Sequence, residues 1–190
     1  AGKTNQAAGG VSIGEFAGVT NQGGSSIAIG YKSGFSEQST QAVAIGKIAG
    51  EISQGASGVA IGEFAGRTNQ GSSAVAIGQL AGNNTQGPSS IAIGPDAGVT
   101  TQGTAAVAIG RLAGEATQGS EAVAIGNAAG KTNQGDEAIA IGANAGITNQ
   151  AANSIIINAT GTTLNNIVED VFIVKPVRNV AGTLPTGFSQ

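Results

Sequence analysis

Cysteine, methionine, tryptophan and histidine are all missing from this 190-residue chain. Without cysteine there is no disulfide and no thiolate metal site, though this leaves the compartment open. Without histidine there is no Ser–His pair and no imidazole ligand. Aromatic residues make up 3% of the chain and charged residues 10%. A globular core draws most of its buried area from large side chains. Here the apolar 40% is mostly Ala, Val and Ile, so any core must be thin. Disorder goes with high charge and few β-branched residues; this chain has the opposite balance and reads as folded. The net charge is −3, from 8 basic and 11 acidic residues. With no basic run and no interleaving of Arg with aromatics, nucleic acid is not an expected partner. No apolar run approaches the ~18 residues of a membrane helix, so no membrane insertion is expected. No charged-then-apolar leader opens the chain. Residues Ala1 to Gln6 already lie in phase with a repeat, so we expect a piece of a longer protein.

What is present is periodicity, the first thing to seek in such a composition. Val11-Ser12-Ile13-Gly14 is followed by Ile27-Ala28-Ile29-Gly30 and Val43-Ala44-Ile45-Gly46. The run returns at Val59, Val75, Ile91, Val107, Val123 and Ile139 and closes at Ile155-Ile156-Ile157-Asn158. The spacing is 16 throughout, without insertion or deletion. Four residues after each such Gly stands another, from Gly18 to Gly146, preceded by Ala or once by Ser33. Eight residues after it stands Gln, from Gln22 to Gln150, with Gln6 in phase. Other columns vary freely; the first after the Gly holds Glu15, Tyr31, Lys47, Glu63, Gln79, Pro95, Arg111, Asn127 and Ala143.

Large-small-large alternation is strand patterning. Fixed Gly suits corners with positive φ or close backbone approach. A second short strand fits segments such as Val19-Thr20-Asn21-Gln22. One coil is then strand, corner, strand, corner, and stacked coils make an all-β parallel solenoid, or β-roll, of ten 16-residue coils over residues 1–158. At ~4.8 Å per coil the rod is ~50 Å long. A helical repeat is disfavoured, because two Gly per unit cost about 1 kcal/mol each in a helix. Stacked Gln side chains are expected to form an amide ladder. The Val/Ile pair is expected to face the chain's own core. The Ala column, Ala28 to Ala140, is expected to face outward and be covered by other chains, giving a homotrimer; a monomer with a bare Ala face is the alternative.

The repeat ends after Asn158, and residues 159–190 read as a C-terminal cap and linker. Thr160-Gly161-Thr162-Thr163 is a polar turn, Val171-Phe172-Ile173-Val174 a strand, and 177–180 a further strand. The tail 181–190, with Gly182, Pro185 and Gly187, reads as a loop toward a following domain. Phe172 is expected to anchor the cap that a solenoid end requires. Chemistry has little to draw on. We expect no catalytic, cofactor-binding or metal-binding residues and no enzyme activity. The adjacent pairs Asp136-Glu137 and Glu169-Asp170 could hold a cation but read better as solvated loop charge. The repeat lacks the Asp-bearing pattern of calcium-binding β-rolls and the Lys-Ser/Thr of a P-loop.

The runs Ser26-Ile27-Ala28-Ile29-Gly30 and Ala42-Val43-Ala44-Ile45-Gly46 resemble the head repeat of YadA-like trimeric autotransporter adhesins. The resemblance covers residues 1–158 and implies a left-handed, trimeric parallel β-roll used for attachment; the family's usual unit is slightly shorter than 16. The stretch from Ser154-Ile155-Ile156-Ile157-Asn158 to Val174-Lys175-Pro176-Val177-Arg178-Asn179 resembles the segment preceding an endosialidase-type intramolecular chaperone in phage and viral fibres. Together these imply a structural fibre or spike segment on a virion surface that mediates or supports host attachment, with a cell-surface receptor or glycan as partner. One alternative is the head of a bacterial surface adhesin. Another is an ice-binding solenoid, since Thr20, Thr68, Thr100, Thr132 and Thr148 share a column. Ser36, Ile52, Asn84 and Ala116 interrupt it.

Overall fold

The computed structural model describes residues 1–177. Each coil holds two three-residue strands joined by two corners, as in Ile27–Ile29 and Ser36–Gln38, and the pattern runs from Thr4–Gln6 to Ile139–Ile141. No helix occurs among the described residues. Equivalent strands stack in parallel into a nine-stranded sheet of Thr-Asn-Gln segments and an eleven-stranded sheet of Val-Ala-Ile segments. We call these the amide sheet and the aliphatic sheet. The register does not slip: Val43 pairs with Val59, Ala44 with Ala60 and Ile45 with Ile61. The fold is therefore the expected all-β parallel solenoid, with about eleven turns rather than ten, because Phe172–Lys175 adds a strand beyond the repeat.

The two sheets are built differently. Aliphatic strands are regular, with all three residues paired. In the amide sheet the middle residue has positive φ, 57° at Glu37 and 53° at Asn69, and only its neighbours pair. Asn holds this place at Asn5, Asn21, Asn69, Asn133 and Asn149, consistent with its tolerance of the left-handed region. Two glycine columns are dictated by geometry. Gly14 to Gly142 have φ between 105° and 130°, and a Cβ on Gly30 would stand 2.6 Å from the Gly46 carbonyl oxygen. At Gly34 φ is 49°, and a Cβ would meet Gln38 Oε1 at 2.7 Å.

The interior reverses the expected facing. Ala28, Ala44, Ala60 and their successors to Ala140 are fully buried inside the coil, as are Ala49 and Ala65 at one corner and Ala42 and Ala74 at the other. The Val and Ile beside them are half-exposed or exposed; Ile109 is 36% accessible. The reason is the width of the coil. One Gln side chain spans it: Gln38 Nε2, rising from the amide sheet, donates to the Ile27 carbonyl of the aliphatic sheet at 2.8 Å. Little room remains above that amide, and Ala44 Cβ already lies 3.1 Å from where a Cβ on Gly50 would stand. Nothing larger than Ala fits, so the β-branched pair must point out. Where Ser replaces Ala at a corner, its hydroxyl folds back onto a local carbonyl, as Ser26 does onto Gly23 at 2.6 Å.

The last coil changes its filling. Ile156 takes the place of the interior Ala and is fully buried. Leu164 bridges to Ala145, and Ile173 packs against the same cluster. Ile155 pairs with Phe172, a step of 17 residues instead of 16. Asn158 occupies the place of the corner Gly and is tied down: its Nδ2 donates to Ala143 O at 2.9 Å and Thr162 O at 2.6 Å, and its Oδ1 accepts from Thr160. Phe172 is 63% exposed and anchors nothing inside. Ile173 is the residue in register with buried Ile156, so alternation turns Phe172 outward. Apart from exposed Val177, the expected strand over 177–180 and the loop over 181–190 lie outside the described residues.

Candidate functional surfaces

The buried glutamines form the expected ladder. Gln54 Nε2 donates to Gln70 Oε1 at 3.0 Å, and also to Val43 O at 2.8 Å and Gly58 O at 3.2 Å. Each amide thus joins its own coil's two sheets and the next coil. At the N-terminal end Ser12 Oγ donates to Gln22 Oε1 at 2.6 Å, supplying the donor that a preceding buried Gln provides elsewhere. The ladder is interrupted once. Gln86 donates to Val75 O and Ser90 O but not to Gln102, whose Oε1 is the one buried side-chain oxygen or nitrogen without a partner among the described residues.

The outer side of the aliphatic sheet carries two straight rows. One runs Val11, Ile27, Val43 and onward to Phe172; the other runs Ile13, Ile29, Ile45 and onward to Val174. Neither row contains a charged or polar side chain. Ten strand spacings of ~4.8 Å make this apolar strip ~50 Å long. Contiguous exposure on that scale marks interaction surfaces more often than free solvent-facing ones.

The outer side of the amide sheet is polar. The Thr row is in register and half-exposed to exposed, and it is broken where the sequence breaks it, at Ser36, Ile52, Asn84 and Ala116. A shallow open recess of about 460 Å³ lies beside this sheet, bordered by Asn21, Glu37, Ser39 and Thr40. Asp136, Glu137, Glu169 and Asp170 are all exposed. Asp136 Oδ1 accepts from the Ser120 amide at 2.8 Å. Among the described residues no three acidic side chains converge on a point that could hold a metal ion.

The corner that follows each aliphatic strand carries the variable columns, and in the first coils it gathers aromatic rings and cations. Phe16 and Tyr31 meet edge to face with centroids 6.1 Å apart. Lys3 lies 5.2 Å over Phe16, and Lys32 lies 5.8 Å from Tyr31 and 5.7 Å from Phe35. Lys47 and Arg67 both approach Phe64, at 5.4 and 5.8 Å. Opposite charges pair one coil apart, Lys47 with Glu63 and Arg67 with Glu51, each at 2.9 Å. Sequence reasoning passes over this cluster because its members occupy different columns 16 residues apart. The signal it does carry is that Phe16, Tyr31, Phe35 and Phe64 all fall in about the first third of the chain.

No protein-family model, curated protein or solved structure matched the chain.

Proposed function

We propose that this chain is a structural segment of a surface fibre, a rod that associates side by side with copies of itself as a homotrimer and supports attachment to a host. The observation that carries this reading is the pair of uncharged Val/Ile rows along the outer side of the aliphatic sheet. The sequence pattern alone assigns association to the Ala column; with Ala inside, the Val/Ile rows take over that role. A parallel partner in the same register sets aliphatic row against aliphatic row along the rod and removes apolar area from water at about 25 cal/mol per Å². The thin Ala interior gives each chain little burial of its own, so association supplies what a single rod lacks. We place the rod on a virion rather than a bacterial surface because the segment from Ser154 to Asn179 resembles the stretch that precedes an endosialidase-type chaperone. An ice-binding role gains nothing from the interrupted Thr row.

The test is particle mass in solution by light scattering. We expect three chains per particle for the native sequence. A variant with Ile77→Lys and Ile109→Lys should run as one chain with an unchanged β-type circular dichroism spectrum. A native particle of one chain at micromolar concentration would overturn the proposal.

A further inference from the structure

We propose that the aromatic and cationic corner of the first coils binds an acidic carbohydrate. This deepens the attachment role and rests on it only for its biological meaning, since the corner lies beside the Val/Ile strip and not on it.

The repeat provides its own control. From Phe16 to Asn144 each coil builds this corner with the same backbone. Lys32 has φ 54° and its amide donates to Glu15 O at 2.9 Å; Leu112 has φ 60° and its amide donates to Pro95 O at 3.1 Å. Yet the later coils place Gln79, Leu80, Asp96, Leu112 and Ala128 there, with no aromatic ring. The fold therefore does not require the rings, and their concentration in the first coils needs another cause.

The chemistry of the corner selects its ligand. Lys3 and Lys32 make no salt bridge among the described residues, and both lie over aromatic rings. An exposed cation–π contact is worth ~0.5–1 kcal/mol, so either ammonium can take up a ligand anion at little cost. Tyr31, 40% accessible, and half-exposed Phe16 and Phe35 present rigid amphipathic surface. Such surface suits the C–H faces of sugar rings, with a hydroxyl at hand for hydrogen bonding. Lys3 to Phe64 covers four coil steps, ~20 Å at ~4.8 Å each, enough for a short oligosaccharide laid along the rod. Glu15, Glu51 and Glu63 interleave with the cations. That pattern suits isolated anionic groups on a sugar chain and opposes a phosphate-dense strand, which needs an unbroken basic patch.

Tyr31 is the one tyrosine in a chain without tryptophan, so its emission reports on this corner alone. The intact chain is titrated with a carboxylated hyaluronan octasaccharide, a sulfated heparin octasaccharide, a neutral cello-oligosaccharide and single-stranded DNA. We expect a saturable change in Tyr31 emission with at least one acidic octasaccharide, and none with the neutral sugar. Affinity should fall by about tenfold in Lys32→Gln and in Phe35→Val. Val already stands at the Phe35 place in another coil, at Val19, and circular dichroism verifies the fold of each variant. Arg111→Gln, on the same corner of a later coil, should leave affinity unchanged. No saturable change with either acidic octasaccharide, DNA binding as tight as glycan binding, or an equal loss in Arg111→Gln each overturns the proposal. Tyr31 reads the site in one chain or three, so failure here leaves self-association standing, and the reverse holds as well.

Discussion

The two sheets of this solenoid share topology, strand length and register, and differ in almost everything else. The aliphatic sheet sends its smallest side chain inward and its largest outward. The amide sheet sends a long polar side chain inward and a left-handed residue outward. The difference shows how a 16-residue coil resolves its lack of interior space. One side chain per coil crosses the gap, and an amide suits the crossing, because the carbonyl oxygens it reaches accept a second donor beside their backbone one, as Gly58 O does from Val43 N and Gln54 Nε2. The opposite sheet accommodates that crossing by shrinking to Ala. Its β-branched residues keep the strand regular from outside, and the rod acquires an apolar face as a by-product of how its core is filled.

The contrast between the sheets breaks most sharply at the crossing side chain. Gln70 is 2% exposed and donates to Val59 O at 2.8 Å and to Gln86 Oε1 at 3.1 Å. Gln70→Glu keeps shape but replaces a donor with a carboxylate facing three acceptors, Ala74 O being the third. An unpaired buried charge costs about 3–5 kcal/mol. Burial and those acceptors raise the folded pKa of the new carboxyl above the ~4.3 of the unfolded chain. Between the two values the native state holds the extra proton, so the variant's stability falls as pH rises through that window. Melting curves should show the deficit large at pH 7 and reduced near pH 4. Equal melting of variant and native at neutral pH would show the ladder to be dispensable.

The aliphatic sheet gives the next largest effect and tests which side is inside. Ala76 is fully buried and in register with Ala60 and Ala92, while Ile77 beside it is 36% exposed. Ala76→Leu should cost about 3 kcal/mol by overpacking. Ile77→Thr in a single-chain particle should cost about 1 kcal/mol or less, since much of its side chain is already wet. Both changes are compared in an Ile109→Lys background, with light scattering to verify one chain per particle, so that chain–chain contacts do not enter the comparison. A larger loss at Ile77 than at Ala76 would restore the facing that residue size alone suggests.

Much of this architecture is legible in the periodicity alone. The 16-residue step, the strand at Val43-Ala44-Ile45, the corner at Gly46 and Gly50 and the Gln54 ladder follow from alternation, backbone freedom and amide pairing. The facing of Val43 and Ala44 does not, because alternation gives two faces without saying which is inside. Large-inward is right when two sheets stand far enough apart for their side chains to interdigitate. It fails here because Gln54 reaches Val43 O directly. Phe172 misleads for a related reason: its size suggests a core, whereas its register with Ile155 places it outside. The aromatic corner is readable as composition but not as a place, since Phe16 and Tyr31 become neighbours only once the coil pitch is known.

The smallest expected effect lies on the outer side of the amide sheet, where the left-handed residue varies. Asn69 and Asn133 hold φ of 53° and 52°, and Thr101 holds 49° at the equivalent place. A β-branched side chain in this region crowds its own backbone, whereas Asn enters it at lower cost. Thr101 is exposed and its side chain makes no hydrogen bond among those of the described residues, so its replacement removes strain without removing a partner. Thr101→Asn should therefore stabilise the chain by about 0.5–1 kcal/mol. The reverse change, Asn69→Thr, should destabilise it by a similar amount. Paired melts of the two variants read backbone strain alone, since both positions lie one residue beyond the Thr row. If Thr101→Asn lowers the melting temperature, the Thr side chain contributes something the backbone angle does not predict, and the amide sheet's outer side is more than a tolerated consequence of the coil.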